Sequence, residues 1–301
     1  MKQTILILGS EGFIGSQLVA HFKTAYSVFG IDVCPQPTNI YTYWQNSGDQ
    51  KELISCFTAN AFDFCINAAG SGNVGYSIQH PDFDFNMNVI QPQQVLEAIR
   101  NHQPACKYIH FSSAAVYGNP KRLPVSETDT VDPLSPYGWH KYLSENLCSE
   151  YSKLFGIPTT VLRPFSVFGP GLKKQLFWDL YQKFKSHPDQ IEIWGTGNES
   201  RDFIYIRDLC RSVETIMQRS DFKSTVYNIG TGEEISIRHA ATAFLTQLNP
   251  EIQIRFNNKS KPGDPINWKA DISRLARLGF TPNTNFDSGI NQVAQWIKSQ
   301  L

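Results

Sequence analysis

The chain has 301 residues, with 27 basic and 27 acidic side chains and a formal net charge of zero. That balance, without a lysine/arginine run or an acidic tail, argues against a nucleic-acid partner and points to a small molecule held in a local pocket. Apolar residues make up 41% of the chain, enough for a large core, yet no run approaches the ~20 residues of a membrane span.

The elements alternate from the start. Thr4–Leu8 is a buried strand, Phe13–Phe22 has helical spacing, and Ser27–Asp32 is a second strand. Asp49–Phe57 is helical, Phe62–Asn67 a strand, Phe83–Arg100 a long helix, Lys107–Ser112 a strand, Tyr137–Phe155 a helix and Pro158–Leu162 a strand. Strands alternating with helices imply right-handed crossovers and a doubly wound α/β fold on a parallel sheet. After Pro164 the pattern loosens. Helices are expected at Leu176–Lys185 and Arg207–Met217, strands at Gln190–Ile193 and Thr225–Ile229, a helix capped by Ser236, and a terminal helix at Asp287–Lys298. The expected division is a dinucleotide-binding domain over 1–164 that carries the chemistry, and a smaller α/β substrate lobe over 165–301. The chain could cross back to the sheet.

The first apolar run, Ile5–Leu8, is too short for a signal peptide and leads into a glycine turn. The six cysteines include no CxxC pair and no zinc-like spacing with histidine, so they read as buried free thiols in a reducing compartment, with no metal expected. A cytoplasmic location follows from these readings.

Gly9-Ser10-Glu11-Gly12-Phe13-Ile14-Gly15 follows a strand and opens a helix. Gly9 permits the tight turn, Gly12 lets the backbone approach a pyrophosphate, and Gly15 allows close helix–sheet packing. Phe13 and Ile14 sit at the helix N-terminus that would face the phosphates. Asp32 ends the second strand, 17 residues after Gly15. A carboxylate there accepts from ribose hydroxyls and repels a 2′-phosphate, which favours NAD over NADP.

Tyr137 and Lys141 lie one helical turn apart. A phenol normally keeps its proton near neutral pH, but a nearby ammonium favours the phenolate, a base for a sugar hydroxyl. Such pairs are common on exposed helices. Ser112 and Ser113 give this one its context: they close a strand about two dozen residues earlier, where open α/β sheets place their ligands. Ser113 can bond the oxygen that Tyr137 deprotonates. His80, His110 and His140 are assigned no chemical role, and the Phe177, Trp178 and Tyr181 cluster reads as core.

These residues resemble the extended short-chain dehydrogenase/reductase superfamily, in its NAD-dependent epimerase/dehydratase branch. The resemblance runs nearly end to end, through Asn67-Ala68-Ala69-Gly70, Asn88, Leu162-Arg163-Pro164-Phe165, Arg201-Asp202-Phe203 and Tyr227 to Gly232. It implies that Ala68, Ala69, Gly70, Asn88, Ser112 and Pro164 line the cofactor with Tyr137 and Lys141. It implies a nucleotide-diphosphate sugar held by Ser113, Ser166, Arg201 and Lys261, and a homodimer paired through the long helices. A guanidinium at Arg201 can grip phosphate oxygens with two parallel bonds. Lys261 stands where relatives often carry arginine, and Ser166 where 4-epimerases carry asparagine.

Branch members that dehydrate sugars usually carry an acid pair after the serine. Ala114 and Ala115 occupy that stretch here, leaving no proton donor for eliminating water. Two reactions remain, and Asp32 favours the first. One is epimerisation, expected at sugar C4, with the cofactor regenerated each cycle. The other is reduction by a 4-ketoreductase making a deoxysugar. A dinucleotide-binding sensor without turnover is a third reading, disfavoured because tyrosine and lysine are both present.

Overall fold

The computed structural model describes residues 2–38, 41–46, 49–259, 263 and 265–300. Its centre is a seven-stranded parallel sheet. Six strands come from the first half: β1 (Thr4–Leu8), β2 (Ser27–Asp32), β3 (Thr42–Gln45), β4 (Phe64–Asn67), β5 (Lys107–Phe111) and β6 (Thr159–Pro164). The seventh, Lys223–Ile229, returns from the second half and pairs parallel with β6. From one edge the order is Lys223–Ile229, β6, β5, β4, β1, β2, β3. Strands β4 and β6 are buried along their whole length, as befits a sheet covered on both faces.

The helices are α1 (Phe13–Phe22), α2 (Gln50–Ala59), α3 (Val74–Gln79), α4 (Pro81–Phe85), α5 (Gln91–His102) and α6 (Pro136–Phe155), followed by helices of the second half. On one face Leu53, Phe57, Val95, Leu96, Ile99 and Cys148 close a core under α2, α5 and α6. The other face merges with the second half through Leu18, Phe22, Leu209, Val213 and Phe244. Phe177 and Tyr181 are buried in this second core, and Trp178 packs against it, as the sequence suggests. Among the cysteines only Cys34 is half-buried; the other five are buried, and all six are free thiols. No helix among the described residues is long and apolar enough to cross a membrane.

Two segments depart from the sequence expectation. Strand β3 was not expected; it adds an edge beside β2. The helix expected over Phe83–Arg100 begins earlier and is not uniform. Pro81 starts α4, and a π-helical stretch, Asn86–Ile90, joins it to α5. The wider π turn shifts the helical phase there, so a single 3.6-residue period cannot describe the whole run.

Helix α6 carries Tyr137 and Lys141. The Ser135 side chain caps its start by accepting from Gly138 N at 3.2 Å, Pro136 occupies the first turn, and Gly156 ends it with φ of 70°. Removal of this cap would loosen the turn that holds Tyr137.

Candidate active site

The sheet order reverses between β1 and β4, the position where open α/β sheets leave a crevice at their carboxyl ends. A cavity of about 340 Å³ opens there, lined by Gly9, Glu11, Gly12, Asp32, Val33, Asn46, Asp49, Asn67, Ala68, Ala69, Gly70, Met87 and Gln91 among others. The glycine turn is tight for physical reasons. Gly9 has φ of +74°, and a Cβ there would stand 2.8 Å from the Ala69 backbone; a Cβ on Gly15 would stand 1.9 Å from the Gly9 carbonyl oxygen. The floor so formed brings backbone, with no side chain, to the N-terminus of α1. Phe13 and Ile14 are half-buried and pack against the core.

Asp32 is pinned by backbone donors: Oδ2 accepts from Glu11 N at 2.9 Å, and Oδ1 from Val33 N at 2.7 Å and Cys34 N at 3.3 Å. Glu11 is fixed in turn by Thr38 and by the Tyr41 hydroxyl. Two carboxylates therefore stand at one end of the cavity. Sequence reasoning found Asp32 and missed Glu11, as well as Asn46, Asp49, Met87 and Gln91. Only proximity in the fold marks these residues.

Gly70 connects this cavity to the catalytic candidates. A Cβ on Gly70 would lie 2.6 Å from Asn88 Oδ1 and 3.4 Å from Lys141 Nζ. Asn88 is fully buried; its Nδ2 donates to Ser71 O at 3.1 Å, and its Oδ1 has no hydrogen-bond partner among the described residues. A nicotinamide dinucleotide suits this donor set. The cradle is bare backbone at the phosphate end, carboxylates stand at the ribose end, and an unspent buried acceptor and an ammonium flank the far end.

Lys141 is 5% exposed and donates to Phe111 O at 2.9 Å, with its ammonium 6.0 Å from the centre of the Tyr137 ring. Burial lowers the Lys141 pKa to about 8, against the opposing pull of Asp84 and Glu145. Burial raises the Tyr137 phenol above its ordinary value, while the Ser113 hydroxyl that faces it works the other way. Tyr137 N donates to Ser77 Oγ at 3.2 Å, which ties the start of α6 to α3. Ser113 caps a short 3-10 turn, Ala114–Tyr117, accepting from Ala115 N at 3.1 Å. The structure thus brings Ser113, Tyr137 and Lys141 together.

Ser112 behaves differently from its neighbour. Its hydroxyl donates to Glu145 Oε1 at 2.5 Å, and Glu145 is gripped by Arg163 through Nε at 2.9 Å and Nη2 at 2.6 Å. Arg163 also donates to the Tyr117 hydroxyl at 2.8 Å, and Tyr117 to Asn228 Oδ1 at 2.6 Å. This buried network fastens β5, α6, β6 and the returning strand behind the site. His110 is likewise internal, with Nδ1 3.2 Å from the Tyr108 hydroxyl and Nε2 2.8 Å from Ser144 Oγ, and burial pulls its pKa well below the ordinary value.

The residues expected to hold substrate lie in the second half. Pro164 ends β6, and Ser166 N donates to Asp202 O at 2.9 Å. Arg201 donates from Nη1 to Ser200 O at 2.8 Å and Ile266 O at 3.1 Å, with its guanidinium 5.6 Å from the Trp268 ring centre. Asp202 is fully buried and accepts from Thr231, Gly232 and Ala270, which makes it a brace for the turns on either side. Lys261 lies outside the described residues.

Residues 5–230 match the model of the NAD dependent epimerase/dehydratase family. A putative UDP-glucose 4-epimerase of Methanocaldococcus jannaschii is 29% identical over 98% of this chain and 98% of its own. The crystal structure of UDP-glucuronic acid 4-epimerase from Bacillus cereus, in complex with UDP-glucuronic acid and NAD, superimposes with a TM-score of 0.88 at 30% identity, covering 99% of this chain and 100% of that one. The UDP-glucose 4-epimerase of Thermotoga maritima, at 24% identity and a TM-score of 0.90 over 99% of both chains, shares the fold.

Proposed function

The chain belongs to the NAD dependent epimerase/dehydratase family, and from this premise we propose that it is a nucleotide-sugar 4-epimerase in which Tyr137 is the general base. NAD is the cofactor. The observation that carries the reading is the juxtaposition across Gly70: a cavity suited to NAD on one side, and Lys141, Tyr137 and Ser113 on the other. Similar proteins named for UDP-sugars support UDP as the nucleotide.

Gly9, Gly12, Gly15 and the start of α1 would hold the pyrophosphate, and Asp32 the adenosine ribose. Ala68 to Gly70, Asn88 and Pro164 would border the remainder. Bound there, NAD supplies a hydride acceptor and donor at its nicotinamide ring. Tyr137 takes the proton from the sugar 4-hydroxyl and later returns it to the same oxygen, which Ser113 also contacts. Lys141 holds its ammonium beside the phenol and shares the proton that must leave the pair before Tyr137 can act. Arg201, Ser166 and Lys261 are assigned to the nucleotide diphosphate and sugar, and the two-lobe division at residue 164 follows that assignment.

Exposed apolar side chains on α4 and α6 support a homodimer: Phe83, Phe85, Trp139, Leu143, Leu154 and Phe155 all face outward.

The test is to supply UDP-hexoses and UDP-hexuronic acids with catalytic NAD, then their 4-keto forms with excess NADH or NADPH. Interconversion of C4 epimers without net cofactor consumption is the expected result. Stoichiometric oxidation of reduced cofactor by a 4-keto sugar, without epimer exchange, would replace the epimerase with a 4-ketoreductase.

A further inference from the structure

Asp84 is fully buried, on α4. Its Oδ2 lies 2.7 Å from Nδ1 of His140 on α6, the residue directly before Lys141. Its Oδ1 has no hydrogen-bond partner among the described residues. The His140 side chain is only 12% exposed, and the Phe85 ring stands edge-on to it at 5.3 Å. A carboxylate taken out of water in this way is costly unless a cation compensates it. The imidazole is the group in contact with it.

We propose that Asp84 and His140 are positioning residues for the catalytic tyrosine, a buried carboxylate–imidazolium pair whose charge balance sets the pH at which Tyr137 becomes a base. The inference rests on the reading of Tyr137 as that base. The Asp84 charge reaches both members of the pair: it pushes the Tyr137 phenol and the Lys141 ammonium toward keeping their protons. The other ionisable groups acting on Lys141 are Glu145 and Cys148 along α6 and Lys174 ahead of α7, the Gln175–Ser186 helix; His110 on β5 feels Lys141 in return. Glu145 is already neutralised by the Arg163 fork. Asp84 instead meets the His140 imidazole at 2.7 Å.

The two partners then act with opposite signs. Asp84→Asn removes a negative charge and eases loss of the first proton from the Tyr137–Lys141 pair. His140→Gln retains a donor for Asp84 and removes the positive charge, so the carboxylate acts unopposed and the proton is held more tightly. A purely structural contact would lower activity in both variants without moving the midpoint in opposite directions.

The experiment is an ultraviolet difference titration of the phenolate in the NAD complex, each protein measured against its own Tyr137→Phe partner, with the acid limb of kcat/KM recorded in parallel. The midpoint is expected to fall in Asp84→Asn and to rise in His140→Gln, each by about one pH unit, the scale of a single charge change at partly screened range. Shifts in the same direction, or none, overturn the proposal. If Asp84→Asn does not fold, His140→Gln decides alone, and an unmoved midpoint there overturns it. The titration needs no sugar. Midpoints that move apart in a protein that epimerises no nucleotide sugar would support the pair's role and remove the epimerase reading.

Discussion

Lys141 reaches from α6 to donate a 2.9 Å hydrogen bond to the carbonyl oxygen of Phe111, two residues before Ser113. One contact thus joins the helix that carries Tyr137 to the strand end that carries Ser113. It also leaves the ammonium buried, and so ready to lose its proton at about pH 8. The competent pair has one proton fewer than the resting pair, with the remaining one shared between phenol and amine. On the proposed mechanism, wild-type kcat/KM should therefore rise with pH through a midpoint near 8 and level off above it. Lys141→Met leaves Tyr137 with only its burial-raised pKa, so the limb should move upward by more than one unit. Tyr137→Phe should lose about 10²–10⁴-fold in turnover while binding NAD nearly as before. A Tyr137→Phe enzyme with most of its activity would remove the phenol from the mechanism.

Asp32 should set cofactor choice. Its carboxylate is fixed by three backbone N–H groups, and Glu11 adds a second negative charge at the same end of the cavity. Dissociation constants for NAD and NADP should show a preference for NAD in the wild type. Asp32→Ala should lose part of that discrimination, and Glu11→Gln with Asp32→Ala should lose more. Tighter NADP binding by the wild type would contradict the assignment.

The Glu145–Arg163 pair should matter to stability. Both side chains are 5% exposed and bound by two hydrogen bonds. Glu145→Ala strands a buried guanidinium and leaves Ser112 without its acceptor. A loss of about 3–5 kcal/mol is expected from denaturant unfolding. A loss below about 1 kcal/mol, the range of an exposed ion pair, would show that the pair carries little of the fold.

The sheet and its ligand turn were legible because their signals are local. A continuous apolar run, a glycine turn and a carboxylate at the next strand end lie within 32 residues. Ser113, Tyr137 and Lys141 were legible because two of them share a helix face. Other features depend on distance along the chain. Asp84 and His140 are 56 residues apart, and nothing near either one announces the other. Ser112 and Ser113 look alike in sequence, yet Ser112 turns to Glu145 and Ser113 toward Tyr137. Strand β3 was missed because its half-exposed Thr-Tyr-Trp-Gln segment has no buried run. The π turn at Asn86–Ile90 lies inside the single helix expected over Phe83–Arg100 and went unread, because no residue type in it sets a π turn apart from an α turn.

A homodimer is expected from the outward apolar side chains of α4 and α6, of which Leu154 is 71% exposed. Sedimentation at micromolar concentration should give twice the chain mass of 34.1 kDa. Replacing Trp139 and Leu143 by lysine should shift the equilibrium to monomer. A wild-type monomer at that concentration would contradict the dimer.

In the proposed mechanism hydride leaves and returns at one sugar carbon while Tyr137 carries the proton. The most direct measurement uses a UDP-sugar bearing deuterium at C4, incubated with the enzyme and catalytic NAD, with the product read by mass spectrometry and proton NMR. The expected result is a C4 epimer that keeps its deuterium, with no net NADH accumulating. Loss of deuterium from C4 to solvent, or conversion only when NADH or NADPH is consumed in equal amount, would contradict it.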